Sequence, residues 1–138
     1  YLFWEGEYRN IQFNSKNLVP EGTMVASENV VEFLESSLDT LGFTSTEKAD
    51  MLTFWGPELT QFEKVFVQFL INHEVDAKVG GLNISPEPNK VNRVYILFTN
   101  GSLIYKHQRQ VLSPLDRSGF DVLEWGGCRV THPKFQLN

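Results

Sequence analysis

The chain is poor in the residues that bind metals or form cross-links. It has one cysteine, Cys128, and three histidines, His73, His107 and His132. One cysteine excludes a disulfide within the chain and a thiolate-rich zinc site. The histidines lie in three separate segments without the spacing of a zinc-binding helix, so a shared metal site would require the fold to gather them. We therefore expect no cofactor.

Positive charge and long apolar runs are also scarce. The formal net charge is −5 at pH 7, so no general positive field attracts the phosphates of nucleic acids or the head groups of anionic lipids. Apolar runs such as Val65 to Ile71 are far shorter than the ~20 residues that span a bilayer. We expect neither a nucleic-acid partner nor insertion into a membrane.

Aromatic residues, by contrast, are plentiful, with 11 Phe, 3 Trp and 4 Tyr among 138 residues. A chain of this length can bury roughly two-thirds of its unfolded surface, so these rings can fill a core and leave some over for a binding surface. No internal repeat, low-complexity tract or linker divides the sequence. We predict a single domain over residues 1–138.

Two helices are predicted in the first half of the chain. Ser27 can cap the first, its apolar residues recur at a spacing of three and four, and Gly42 can end it in a left-handed conformation. Thr44-Ser45-Thr46-Glu47 is a capping box that starts the second. We expect Gly56-Pro57 to stop this helix, because proline cannot continue the hydrogen-bonded turn. The short connection predicts a helical hairpin.

Beyond Pro57 the apolar residues alternate as they do in strands. Residues 65–71 and 94–98 both follow this pattern. Asn100-Gly101 is a strong signal for a tight β-turn, since both residues tolerate a positive φ. We therefore predict a β-hairpin that joins residues 94–98 to a strand at 103–105.

Further strands are predicted near the two ends of the chain. Short aromatic or apolar runs indicate strands at 1–4 and 11–13, and a glycine-bounded run indicates another from Phe120 to Trp125. Residues 128–138 are expected to form an irregular tail. The predicted fold class is α+β, with an N-terminal helical hairpin packed on one face of a mostly antiparallel β-sheet.

Three tryptophans, Trp4, Trp55 and Trp125, are the candidate ligand or interface residues. Exposed indoles can stack on sugar rings while the neighbouring Glu5 and Glu124 bind hydroxyl groups. Burial under the helices is the competing interpretation, and we favour it. Trp55 lies on the apolar helix face, and the other two tryptophans each end an apolar strand.

Catalytic and metal-binding arrangements have little support. Cys128 and His132 could act as nucleophile and base if the tail folded back, yet a lone cysteine is more commonly a small buried hydrophobe. The preceding Gly126-Gly127 is more typical of a strand end than of an oxyanion hole. Residues 73–76 contain a histidine and two carboxylates, which a polar loop explains equally well. We predict no catalytic and no metal-binding residue, and enzymatic activity is left open.

Helix caps, turns and strand ends recur in five segments: Val31–Leu34 continuing to Leu41-Gly42, Phe54-Trp55-Gly56-Pro57, Ser85-Pro86-Glu87-Pro88, Arg93-Val94, and Arg117–Phe120 continuing to Glu124-Trp125-Gly126-Gly127. In these segments the chain resembles an uncharacterised prokaryotic α+β domain family of unknown function. Trp55-Gly56-Pro57 stands where that family has Trp-Leu-Pro, and the tail from Cys128 lies outside the family pattern. The resemblance implies a fold and no functional residue.

Three functions remain open at this stage. The first is a non-enzymatic interaction or structural module that associates with a protein partner or with itself, as a subunit of a larger assembly. The second is a carbohydrate-binding domain that uses the tryptophans, and the third is a small thiol-dependent hydrolase. The chain begins at Tyr1 without a methionine, which favours a secreted or extracellular location.

Overall fold

The computed structural model describes residues 1–8 and 10–134. These residues form an α+β fold, which confirms the predicted class. Two short 3-10 helices, Ser27–Asn29 and Gly101–Leu103, accompany the main elements. In chain order the main elements are β1 (Ser15–Lys16), β2 (Val19–Pro20), β3 (Thr23–Ala26), α1 (Val30–Leu41), α2 (Ser45–Leu59), β4 (Lys64–Ile71), α3 (His73–Lys78), β5 (Lys90–Asn100) and β6 (Asp121–Arg129).

The main sheet has four strands in the order β3-β4-β5-β6, and β1 and β2 form a separate small hairpin. Strand β4 is antiparallel to both of its neighbours. Strand β6 is parallel to β5, with Lys90 opposite Asp121 at one end and Phe98 opposite Arg129 at the other. The sheet is therefore mixed. A parallel neighbour requires a long crossover, and residues 101–120 supply it.

The two central strands are buried on both faces of the sheet. On one face, β4 and β5 pack with α1 and α2 in a cluster that includes Leu34, Met51, Val67 and Ile96. On the other face they pack with the long crossover and with the N-terminal segment, by which we mean residues 1–8 and 10–14. This second cluster includes Phe13, Phe66, Tyr95, Leu97 and Ile104. Burial on both faces explains why these strands are apolar at nearly every position.

Helix α1 follows its apolar spacing, since Val30, Leu34, Leu38 and Leu41 are fully buried. Gly42 ends the helix at a φ of 92°, as predicted. The predicted N-cap is wrong. Residues 27–29 form a 3-10 turn, and the Ser27 hydroxyl donates to the Thr60 carbonyl 3.1 Å away instead of capping α1.

Helix α2 begins at the predicted capping box. The Thr44 amide donates to Glu47 Oε2 at 2.8 Å, and the Glu47 amide donates to Thr44 Oγ1 at 3.3 Å. The predicted end is wrong, because Pro57 lies inside the helix, which continues to Leu59. A proline in the last turn removes only one backbone donor, and the extra residues bury Leu59 completely.

The predicted hairpin at Asn100-Gly101 does not form. The Asn100 carboxamide oxygen accepts hydrogen bonds from the Ser102 amide and hydroxyl, and residues 101–103 make a 3-10 turn instead of a strand reversal. Gly101 is needed for close packing, because a β-carbon there would lie 2.4 Å from the Met24 sulfur. The strand predicted at 103–105 is therefore absent, and β5 pairs with β4 and β6.

Both ends of the chain differ from the prediction. Residues 1–4 and 11–13 are not strands, and the described part of the N-terminal segment lies against the body of the protein as irregular backbone. Strand β6 runs to Arg129, four residues past its predicted end, so Cys128 belongs to the sheet and not to an irregular tail. Residues 130–134 are irregular. Residues 135–138 of the predicted tail lie outside the described residues.

Helix α3 was not predicted. Its six residues, His73–Lys78, bury one apolar side chain, Val75, which is too little to establish a helical period in the sequence. Across the described ranges, no helix is both long and apolar enough to cross a membrane.

Candidate functional site

A cleft of about 880 Å³ lies between the N-terminal segment, α2, the loop after α3 and strand β6. Its volume is within the range of small-ligand and peptide sites. All three predicted tryptophans, Trp4, Trp55 and Trp125, line it, although they come from widely separated parts of the sequence. We name this feature the aromatic cleft.

The tryptophans are less buried than we predicted. The side chain of Trp4 is 51% exposed, while Trp55 and Trp125 are partly buried and pack against the helix-side core. The prediction of burial is wrong for Trp4 because residues 1–4 do not join the sheet. For Trp55 and Trp125 it is correct only in part, since each also presents a surface to the cleft.

Phe54 contacts three other aromatic rings of the cleft. Its ring lies 4.9 Å from Trp55, 6.2 Å from Trp125 and 5.9 Å from Phe3, measured between ring centroids. Tyr1 in turn lies 5.6 Å from Trp125. The rings are tilted or edge-to-face, which is the favoured geometry for packed aromatics. Phe54 was not predicted as a site residue, although its position beside Trp55 on the same helix was a signal for it.

Gly126 and Gly127 allow neighbouring elements to approach β6 closely. A β-carbon on Gly127 would lie 2.9 Å from Trp55 Cζ2 and 2.8 Å from Ile96 Cγ1. A β-carbon on Gly126 would lie 3.0 Å from two ring atoms of Tyr95. The sequence indicated a strand end at these two glycines, and that prediction is wrong. They lie within β6 and seat α2 and Tyr95 against it.

A polar network lies behind the cleft, and two of its members, Tyr95 and Glu124, line the cleft. Arg93 Nε donates to Glu124 Oε2, and the Tyr95 hydroxyl donates to Glu124 Oε1 at 2.6 Å. Arg93 Nη1 also donates to Asp76 Oδ1 at 2.7 Å and to the Gly80 carbonyl. The side chains of Arg93 and Glu124 are only 5% and 10% exposed. The network thus ties β5, β6 and α3 together behind the cleft.

The pKa values of Arg93, Tyr95 and the neighbouring Tyr8 are raised, away from neutrality. Burial lowers the pKa of Arg93, but hydrogen bonds to Glu124 and Asp76 outweigh it and raise the pKa above its usual value. Burial and the hydrogen bond to Glu124 both raise the pKa of Tyr95. Burial also raises the pKa of Tyr8, more than its hydrogen bond to Tyr95 lowers it. Arginine and tyrosine pKa values are already far above 7, so these three groups hold their protons and position other groups.

The charged side chains that line the aromatic cleft all have the same sign. The charged side chains among its described lining residues are Glu5, Glu7 and Glu124, and none of the lining side chains is a lysine, arginine or histidine. Glu5 and Glu7 are exposed, whereas Glu124 is paired with Arg93. The site therefore combines aromatic walls with two free carboxylates.

Cys128 and His132 line a second pocket of about 230 Å³ on the other side of the sheet end. The Cys128 thiol lies 3.5 Å from the Arg129 carbonyl, and the His132 carbonyl accepts from Gln12 Nε2 at 3.0 Å. No hydrogen bond joins the thiol to the imidazole in the described part of the chain. Burial raises the pKa of Cys128, which disfavours the nucleophilic thiolate.

The polar residues after β4 are used within the fold. Glu74 accepts a hydrogen bond from Asn14 Nδ2 at 2.6 Å, and Asp76 pairs with Arg93. Over residues 1–8 and 10–134, the structure places no group of three or more His, Cys, Asp or Glu residues close enough to hold a metal ion. His73, Glu74 and Asp76 thus belong to helix α3, which binds the N-terminal segment through Glu74 and the polar network through Asp76.

Comparisons with known proteins return no relative. No family model, no curated protein and no solved structure matches the chain.

Proposed function

We propose that the chain is a non-enzymatic interaction module and that the aromatic cleft is its binding site for a protein partner. The observation that carries the proposal is the exposed aromatic surface around the cleft, where Phe3, Trp4 and Phe54 are 59%, 51% and 39% exposed. Contiguous apolar patches on a protein surface mark association sites, and large aromatics are the side chains that anchor interfaces.

The polar network supports binding over catalysis. Its arginine and tyrosines keep their protons near neutral pH, because the pKa values of Arg93, Tyr95 and Tyr8 are all raised. A general acid or base works best when its pKa lies near the working pH. A rigid wall with a fixed pattern of charge is instead suited to recognising a partner.

The elements beside the cleft support this proposal. We propose that α1 and α2 act as a helical hairpin that holds Phe54 and Trp55 against one face of the sheet, within one domain that comprises the whole chain. The resemblance to an uncharacterised prokaryotic α+β family also stays a proposal. A larger assembly would use this module as one of its subunits.

Carbohydrate binding is the second candidate, because the three tryptophans line one cleft. Sugar recognition requires ring faces free for stacking and polar groups free to bind hydroxyls. Here the ring pairs at Phe54 and Trp125 are tilted or edge-to-face, and Glu124 accepts hydrogen bonds from Arg93 and Tyr95. These contacts favour a peptide over a glycan.

A peptide-display experiment tests the proposed function. The intact chain and its Phe54→Ala variant are immobilised and panned with random 12-residue peptides. Phe120→Ala is the matched control, because Phe120 is 51% exposed and does not line the cleft. We expect peptides that bind the wild type and the control equally and bind Phe54→Ala at least about tenfold more weakly.

Two outcomes would contradict the protein-partner proposal. Peptide binding that is indifferent to Phe54 would remove the cleft as the site. A glycan that shifts tryptophan fluorescence in the wild type, and not in Phe54→Ala, with no peptide enriched, would favour the carbohydrate-binding module. Self-association is measured separately, by sedimentation over a range of concentrations; any that used the cleft would be lost in Phe54→Ala.

A further inference from the structure

Strand β6 is an edge strand, and its open edge borders the aromatic cleft. It pairs with β5 on one side and with no other strand among the described residues. Residues 122–127 of β6 line the cleft. An edge strand presents backbone N–H and C=O groups that can pair with another chain. The cleft therefore offers backbone hydrogen-bonding groups as well as aromatic rings.

The N-terminal segment forms the opposite wall without pairing to β6. Residues 1–8 line the cleft, but no backbone–backbone hydrogen bond joins them to the rest of the described chain. Their contacts are between side chains, as in the pairs of Tyr1 with Trp125 and Phe3 with Phe54. The segment thus encloses the space beside β6 and leaves the strand's hydrogen-bonding edge unused.

The charge of the cleft indicates the sign of its occupant. Glu5 and Glu7 carry free negative charge on the N-terminal wall, and no lining side chain is basic. Aromatic faces attract cations as well, by about 0.5–1 kcal/mol at exposed sites. An acidic segment would be repelled, and a second copy of this chain, at a net charge of −5, has the same sign as the cleft. A basic partner complements both features.

We infer that the aromatic cleft binds an extended basic segment of a partner protein, which adds as a strand to the open edge of β6. This inference rests on the proposed function and specifies its partner. Backbone hydrogen bonds to β6 would hold the segment, and its Lys or Arg side chains would lie against Glu5, Glu7 and the aromatic rings. Six residues of β6 line the cleft, so a segment of about six residues, ~20 Å long at 3.3 Å per residue, would fill it.

The test uses the pool of displayed peptides that the intact wild-type chain enriches. We expect the pool to be net positive and its binding to weaken as salt is raised. Replacing both acidic residues, as Glu5→Gln with Glu7→Gln, should weaken the best synthetic peptide about tenfold or more. The control is Glu32→Gln with Glu35→Gln, which makes the same change of charge on exposed residues of α1 and should leave binding unchanged.

Backbone pairing is tested with N-methylated versions of the same peptide. Alternate residues of an added strand point their N–H groups towards β6, so methylating one alternate set should reduce binding about tenfold or more, and methylating the other set should not. Replacing each arginine by citrulline, or each lysine by glutamine, should also reduce binding about tenfold. These variants leave the protein untouched, so a folding defect cannot explain their effect.

The outcomes separate this inference from the proposed function. Neutral or acidic peptides that still require Phe54 would overturn the basic partner and leave the interaction module standing. Equal binding of both N-methylated sets would overturn strand addition to β6. Peptide binding that does not require Phe54, or no enrichment by the wild type over Phe54→Ala, would overturn both proposals.

Discussion

Removing the positive charge of Arg93 is the strongest test of how the cleft is held together. Arg93→Met replaces the aliphatic stem of the side chain with one of similar volume and leaves the Glu124 carboxylate, which is 10% exposed, without its cationic partner. The Tyr95 hydroxyl would remain as its side-chain donor. Breaking a buried ion pair by removing one partner costs about 3–5 kcal/mol. This is a large part of the ~5–15 kcal/mol that stabilises a typical domain.

Replacing Glu124, the other partner of the ion pair, should lower the free energy of unfolding by less. In Glu124→Gln the guanidinium of Arg93 keeps its bonds to Asp76 and to the Gly80 carbonyl, so we expect a loss of about 1.5–3 kcal/mol. The double variant contains no unpaired charge at these positions, and Tyr95 can still donate to the introduced amide. It should be at least ~1 kcal/mol more stable than Arg93→Met alone.

Urea unfolding at pH 7, followed by far-ultraviolet circular dichroism, measures these differences by linear extrapolation. The comparison of the two single variants with the double variant gives the coupling energy between Arg93 and Glu124. A loss below ~1 kcal/mol for Arg93→Met would refute the buried pair as a structural element of the cleft. Strictly additive losses in the double variant would refute it as well.

Three further experiments test other parts of the structure. The hydrogen bond from Arg117, which outweighs burial, lowers the pKa of Glu47 below its usual value. The loss of stability in Glu47→Gln, about 1 kcal/mol at pH 7, should therefore shrink as the pH falls through the folded-state pKa. A loss that is constant from pH 7 to pH 3 would contradict this. Gly127→Ala places a β-carbon 2.8–2.9 Å from side chains of β5 and α2, and should lower the free energy of unfolding by about 1–3 kcal/mol. In the same urea assay, the control Gly81→Ala should change it by less than ~0.5 kcal/mol, because no atom lies within 4 Å of its β-carbon. Because burial raises the pKa of Cys128, iodoacetamide should alkylate it more slowly at pH 8 than in urea-unfolded chain, and equal rates would revive the thiol-enzyme hypothesis.

Local sequence signals predicted two of the helix ends, the end of α1 and the start of α2. The capping box at Thr44–Glu47 and the left-handed Gly42 act within one turn of the chain, so nearby residues determine them. Asn100-Gly101 carried an equally strong local signal and was wrong, because the tertiary setting decides its conformation. Gly101 packs against Met24 and Lys64, and β5 finds a parallel partner that lies 20 residues further along the chain. Pairing at that separation leaves no periodic trace in the sequence.

The aromatic cleft also depends on contacts between distant parts of the sequence. Composition indicated the residue type, since Trp4, Trp55 and Trp125 all line the cleft, but the sequence around each tryptophan does not show that the three come together. What brings them together is β6, whose extension through Gly126 and Gly127 lets α2 approach within contact distance of the strand. These glycines were interpreted as a strand end because glycine is usually rare inside strands. A glycine pair flanked by a tryptophan and an apolar run therefore indicates a place where another element or a ligand comes close to the backbone. Here α2 packs against the glycine pair, which also forms part of the wall of the cleft.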